Sequence, residues 1–115
     1  MKPILIAIFV VATALLSACT VSTDLDSARV DCGTPGPHGV DCLVQRTGGN
    51  RGFEACWDLA ITCQNGGVMT GSACHSMAAA DSKGEQNMPA DGFSNQAACD
   101  VPASGQVENL KVTAQ

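Results

Sequence analysis

The sequence predicts an all-β fold of two small packed sheets stapled by disulfides, and three observations carry that prediction. Apolar and polar residues alternate with a period of two in several short runs, Gly-, Pro- and Asn-rich stretches separate those runs, and no segment shows a convincing helical period. Cysteine is abundant and aromatics are scarce: seven Cys stand beside one Trp, three Phe and no Tyr. A core this light needs covalent help.

In chain order, residues 20–31 are polar and short of core formers and read as a spacer, and Gly33 to Gly39 (Gly-Thr-Pro-Gly-Pro-His-Gly) reads as a loop. Val40, Cys42 and Val44 then alternate with Asp41, Leu43 and Gln45, ending in the turn Thr47-Gly48-Gly49-Asn50-Arg51-Gly52. The clearest strand follows, with Phe53, Ala55, Trp57, Leu59 and Ile61 on one face and Glu54, Cys56, Asp58, Ala60 and Thr62 on the other. This pattern buries Trp57 and turns Asp58 outward. Gln64-Asn65-Gly66-Gly67 is a hairpin turn, because Asn-Gly accepts the positive φ angles that tight turns require, and Val68 to Cys74 returns as a strand. Met77 to Met88 reads as loop, Phe93 and Ala97-Ala98-Cys99 as an irregular stretch, and Val107 to Thr113 as a closing strand with Leu110 and Val112 inward.

The first nineteen residues carry a separate signal. Lys2 precedes an apolar run from Ile4 to Leu16 broken only by Thr13, and Leu16-Ser17-Ala18-Cys19 closes it. The run is shorter than the roughly 20 residues a spanning helix needs, and it has the form of a secretory leader. Its last four residues resemble the bacterial lipobox, a Leu, two small residues and a Cys. The resemblance implies cleavage before Cys19, a lipid on its thiol, and a cell-envelope location anchored to membrane through Cys19. Thr20 stands at the following position, where the resemblance favours the outer over the inner membrane. The division expected is therefore 1–18 signal peptide, 19–39 lipid attachment and flexible tether, and 40–115 the β-sandwich.

Setting Cys19 aside leaves an even set, Cys32, Cys42, Cys56, Cys63, Cys74 and Cys99, which in an exported chain reads as three disulfides among fifteen possible pairings. A hairpin closing on Asn65-Gly66 pairs residues whose numbers sum to about 131, or about 130 with a bulge at Gly67, and the latter faces Cys56 with Cys74. A first hairpin about Thr47–Gly52 would bring Cys42 near Cys56 as well. Cys56 with Cys74 is the preferred pair; Cys32, Cys42, Cys63 and Cys99 remain open.

The formal charge is −5, and removal of the leader with its Lys2 makes it −6. Nucleic acid and anionic surfaces need a basic patch, so no nucleic-acid partner is expected. The cysteine spacings include no Cys-x-x-Cys, and His38 and His75 are unpaired, so no metal or cofactor is expected. No Gly-x-Ser-x-Gly elbow appears, the Gly48–Gly52 turn precedes no basic helix start, and the acids stand singly. The chain reads as a non-enzyme.

From Val40 to Thr113 the order of elements, with Cys56-Trp57-Asp58-Leu59 in the central strand and Val107-Glu108-Asn109-Leu110 in the last, resembles the small Ig-like β-sandwich modules appended to bacterial lipoproteins, the FxLYD type. The resemblance implies a non-catalytic structural or protein-interaction module in the envelope. A displayed inhibitor or ligand binder using the Gly33–Gly39 and Thr47–Gly52 loops is the alternative, ahead of a small hydrolase or metal protein.

Overall fold

A computed structural model describes residues 25–115. They form six strands: β1 (Ser27–Cys32), β2 (Val40–Gly48), β3 (Phe53–Cys63), β4 (Val68–Met77), β5 (Lys83–Met88) and β6 (Pro102–Ala114). Single 3-10 turns at Ala90–Gly92 and Gln96–Ala98 interrupt the connection from β5 to β6. The strands make two antiparallel three-stranded sheets, ordered β1-β2-β5 and β4-β3-β6. The fold is a disulfide-stapled β-sandwich.

β3 is the axis of the core because its alternation is the most complete. Phe53, Ala55, Trp57, Leu59, Ile61 and Cys63 are all buried, while Asp58 lies on the opposite face. Val30, Val40, Cys42, Val44 and Met88 cover them from the facing sheet, with Met69 and Met77 alongside. The β3–β4 hairpin takes the 130 register throughout, from Phe53↔Met77 to Thr62↔Val68, with Gly66 at φ 91° in the turn.

Four expectations are corrected. The spacer over 20–31, and with it the domain start at residue 40, fails at Ser27. Residues Ser27–Cys32 pair with β2 and bury Val30, so the sandwich begins well inside the expected tether. Within Met77–Met88, Lys83–Met88 is a strand and not a loop, paired with β2 from Val40↔Met88 to Gln45↔Lys83. Both are edge strands that bury one residue each, Val30 and Met88, too little apolar content to show as a period. The Gly-rich run after β2 joins one sheet to the other instead of closing a hairpin, so Cys42 and Cys56 lie in opposite sheets. In β6, Val107 and Val112 pack against the core while Leu110 stays 37% exposed. The reason is a bulge: between the pairs Cys56↔Lys111 and Asp58↔Glu108, the single residue Trp57 is opposed by Asn109 and Leu110, with Asn109 at φ 53°.

Candidate functional site

The topology gives the sandwich two ends with different construction. β2 runs from the Gly33–Gly39 loop to the 49–52 crossing, so these two segments sit at opposite poles, roughly 25–30 Å apart at the rise of a strand. They do not form one contact surface.

At the pole where the chain enters β1, Arg46 joins three segments. Its guanidinium donates to Asp26 Oδ1 (3.3 Å), to the carbonyls of Arg51 (3.0 Å) and Ala78 (3.1 Å), and through Nε to the carbonyl of Asp81 (3.0 Å). It lies 4.9 Å from the centre of the Phe53 ring. The Asp26 side chain is 5% exposed and also accepts from the Arg51 backbone N–H (3.2 Å). Sequence reading overlooked this group because a lone Arg after a strand and a lone Asp before one carry no local signal.

At the opposite pole a cleft of about 220 Å³ opens between the sheets, walled by Pro35, Val40, Ile61, Met69, Phe93 and Pro102 among others. The chain after β5 crosses the open edge of the sandwich here, and Phe93, 5% exposed, plugs it over Gly71. A β-carbon at Gly71 would lie 2.8 Å from the ring, so only glycine admits it. Ser94 then bridges to Thr70, and the Cys63–Cys99 disulfide ties the irregular segment to the end of β3.

All six described cysteines are bridged: Cys32–Cys42, Cys56–Cys74 and Cys63–Cys99. The first two link facing residues of neighbouring strands. Cys32–Cys42 was unreadable as long as β1 was taken for spacer. The Cys63–Cys99 bond joins β3 to a segment with no strand pairing, which no register argument reaches. Glu54 stands beside Cys56–Cys74, with donor atoms within 4.8 Å of one another, but sulfurs bonded to each other are not the thiolates that ligate metal. His75 packs over Gly84 with Nδ1 3.0 Å from Gln86 Oε1, joining β4 to β5, and His38 is exposed in the cleft-wall loop.

Trp57 is 2% exposed and its indole N–H has no hydrogen-bond partner, a core side chain opposite the β6 bulge. Asp58, on the outer face, accepts from Ser72 Oγ (2.6 Å) and from Asn109 Nδ2 (2.9 Å). The Ser72 bond first and the Asn109 bond second hold its carboxyl below the usual carboxylate range. The left-handed Asn109 of the bulge is thus what brings a second donor to Asp58. Both carboxylate oxygens are occupied, and Asp58 shares a shallow polar depression with Thr70, Ser72, Ser94 and Glu108. This is a surface carboxylate whose two oxygens are satisfied by Ser72 and Asn109.

The apolar cleft is therefore the concave feature that stands apart from the solvated faces. No family model, curated protein or solved structure matches the chain.

Proposed function

We propose that this chain is a lipid-anchored protein of the bacterial cell envelope, attached through Cys19, whose FxLYD-like sandwich is a non-catalytic module that binds another envelope protein. The observation that carries the anchor is the Leu16-Ser17-Ala18-Cys19 motif, which lies outside the described residues. Cysteine pairing supports it: of seven cysteines six are bridged to one another, leaving Cys19 as the odd one in the count. The outer membrane is the favoured destination, from Thr20.

The binding role rests on the character of the surface. Hydroxyls, amides and satisfied carboxylates occupy the outer sheet faces, whereas the cleft leads between the sheets to apolar residues of the core. An early start of the fold shapes the display. Because Asp26 is already clamped by Arg46, residues 20–25 span at most roughly 25 Å even fully extended. A lipidated Cys19 then keeps the Arg46 pole near the bilayer and the cleft pole outermost.

Labelling of growing cells with an alkyne fatty acid tests the anchor. Wild-type protein takes label and Cys19→Ala does not; a wild-type protein that never takes label ends this reading. Crosslinking in intact envelopes tests the partner, with a recurrent crosslinked species expected and its repeated absence counting against an interaction module.

A further inference from the structure

Charge is sorted along the strand direction in a way the linear sequence conceals. Arg29 and Lys83 both face Gln45, one from each side of β2, and Arg46 follows directly. Arg51 lies in the 49–52 crossing and Lys111 faces Cys56, three residues from the start of β3. Every Lys and Arg among the described residues thus stands towards the N-terminal pole, together with the acids Asp26, Glu54 and Asp81.

The remaining described acids belong to the rest of the sandwich, which holds no Lys or Arg. Asp31, Asp58, Glu85 and Glu108 lie around its middle, Asp31 ion-paired with Arg29 at 2.9 Å, and Asp41, Asp91 and Asp100 lie towards the cleft. These last three adjoin cleft walls in sequence: Asp41 follows Val40, Asp91 stands between Ala90 and Phe93, and Asp100 between Cys99 and Pro102. Asp100 is kept ionised by the backbone N–H of Val101 and then that of Asn65, which hold its carboxyl below the usual range. Val68 and Val101, 41% and 48% exposed, add apolar surface at this pole.

The cleft's size points to what enters it. About 220 Å³ falls below the roughly 300–1,000 Å³ of pockets that enclose a whole small molecule, and suits one or two side chains. The walls themselves carry no charged side chain, and the charged residues nearest them in sequence are acids, with Asp41 on the outer face of β2. Acids without Lys or Arg at this pole favour a cationic partner, because opposite charge steers encounter and like charge rejects wrong partners. Resting on the reading of the domain as a partner-binding module, we propose that the cleft pole docks a cationic segment of a partner protein, which inserts an apolar side chain between Val40, Ile61, Met69 and Phe93 and sets Lys or Arg against Asp41, Asp91 and Asp100.

The test uses the full-length protein in non-ionic detergent and fluorescent nonapeptides with a central Phe or Leu flanked by Lys. Matched peptides replace the apolar residue by Ser, or the Lys by Glu. Saturable binding of the Lys-flanked apolar peptide is expected, weakening as salt rises. Affinity falls about tenfold in Asp41→Asn/Asp91→Asn/Asp100→Asn and about tenfold in Ala90→Trp, which fills the cleft from its rim. Lys83→Gln/Lys111→Gln at the other pole leaves it unchanged, and near-ultraviolet dichroism of Trp57 verifies that each variant is folded. Equal binding of the Ser or Glu peptides, or indifference to the Asp substitutions in a folded variant, overturns the proposal. A photo-crosslinking residue placed in cells at Ala90 or at Thr113 separates the two readings. Capture of a basic segment through Ala90 and not Thr113 is expected. Capture through Thr113 alone overturns the cleft proposal and keeps the interaction module; capture through neither overturns both.

Discussion

The two poles of the sandwich close by different chemistry. At the N-terminal pole one guanidinium holds the stretch before β1, the 49–52 crossing and the 78–81 turn. At the cleft pole a disulfide and a buried phenyl ring hold the segment between β5 and β6. The difference follows from what each pole offers. Two short connections present carbonyls there and the stretch before β1 presents the Asp26 carboxylate, and a planar group with five donors satisfies several of them at once. The connection at the cleft pole is long and has little strand pairing, so ordering it costs conformational entropy that scattered hydrogen bonds do not offset. A covalent link acts on that cost directly by restricting the unfolded chain.

Breaking the poles separately measures the contrast. The largest loss is expected in Cys63→Ala/Cys99→Ala: closing a loop with a sequence separation of 36 is worth about 4 kcal/mol, read from urea unfolding midpoints. A loss below about 1 kcal/mol would mean that Phe93 alone secures the segment. Phe93→Ala follows at about 3 kcal/mol, since a buried ring leaves a space that Gly71 does not fill. Arg46→Ala comes next at about 2–3 kcal/mol. It strands the Asp26 carboxylate, whose side chain is 5% exposed, with the Arg51 contacts as its remaining partners. Removal of both charges in Arg46→Met/Asp26→Leu should recover part of that loss by chemical denaturation; no recovery would show that the carbonyl bonds, not the ion pair, carry the pole.

Gly49→Ala is smaller, about 1–2 kcal/mol. Its φ is 81°, and a β-carbon there would meet the Asp26 backbone and side chain. The smallest expected effect lies between the poles, at Asp58. Its carboxyl is depressed in the folded state, so the stability it contributes is present above the ordinary carboxylate range and is lost as pH falls through the depressed value. Asn109→Gly keeps the left-handed bulge while removing one donor, and should move the Asp58 titration upward when followed by carboxyl-carbon NMR, with Ser72 still holding it below the usual value.

Legibility in the sequence follows how much of its environment a residue encodes locally. β3 and its hairpin were readable because five alternating apolar residues and an Asn-Gly turn specify period and face and narrow the register to sums of about 131 or 130. The observed 130 register pairs Cys56 with Cys74, the pair preferred from sequence. β1 and β5 were not readable, since each is an edge strand with one buried residue and a strand on one side only. Leu110 was placed inward by simple alternation, which a one-residue bulge resets. The cleft was invisible because its walls come from a loop, four strands and the irregular segment at once.

By itself, then, the sequence determined an all-β, disulfide-stapled chain, the burial of Trp57 with Asp58 outward, and the central hairpin, with Cys56–Cys74 preferred among its crosslinks. These depend on neighbours two residues away or across one tight turn. Tertiary structure alone decided which strands share a sheet, the pairings Cys32–Cys42 and Cys63–Cys99, the Arg46 junction, and the separation of a mixed-charge pole from an acidic one. Each of those depends on contacts between segments distant in the chain, where the choice of sheet, not local spacing, sets which side chains meet.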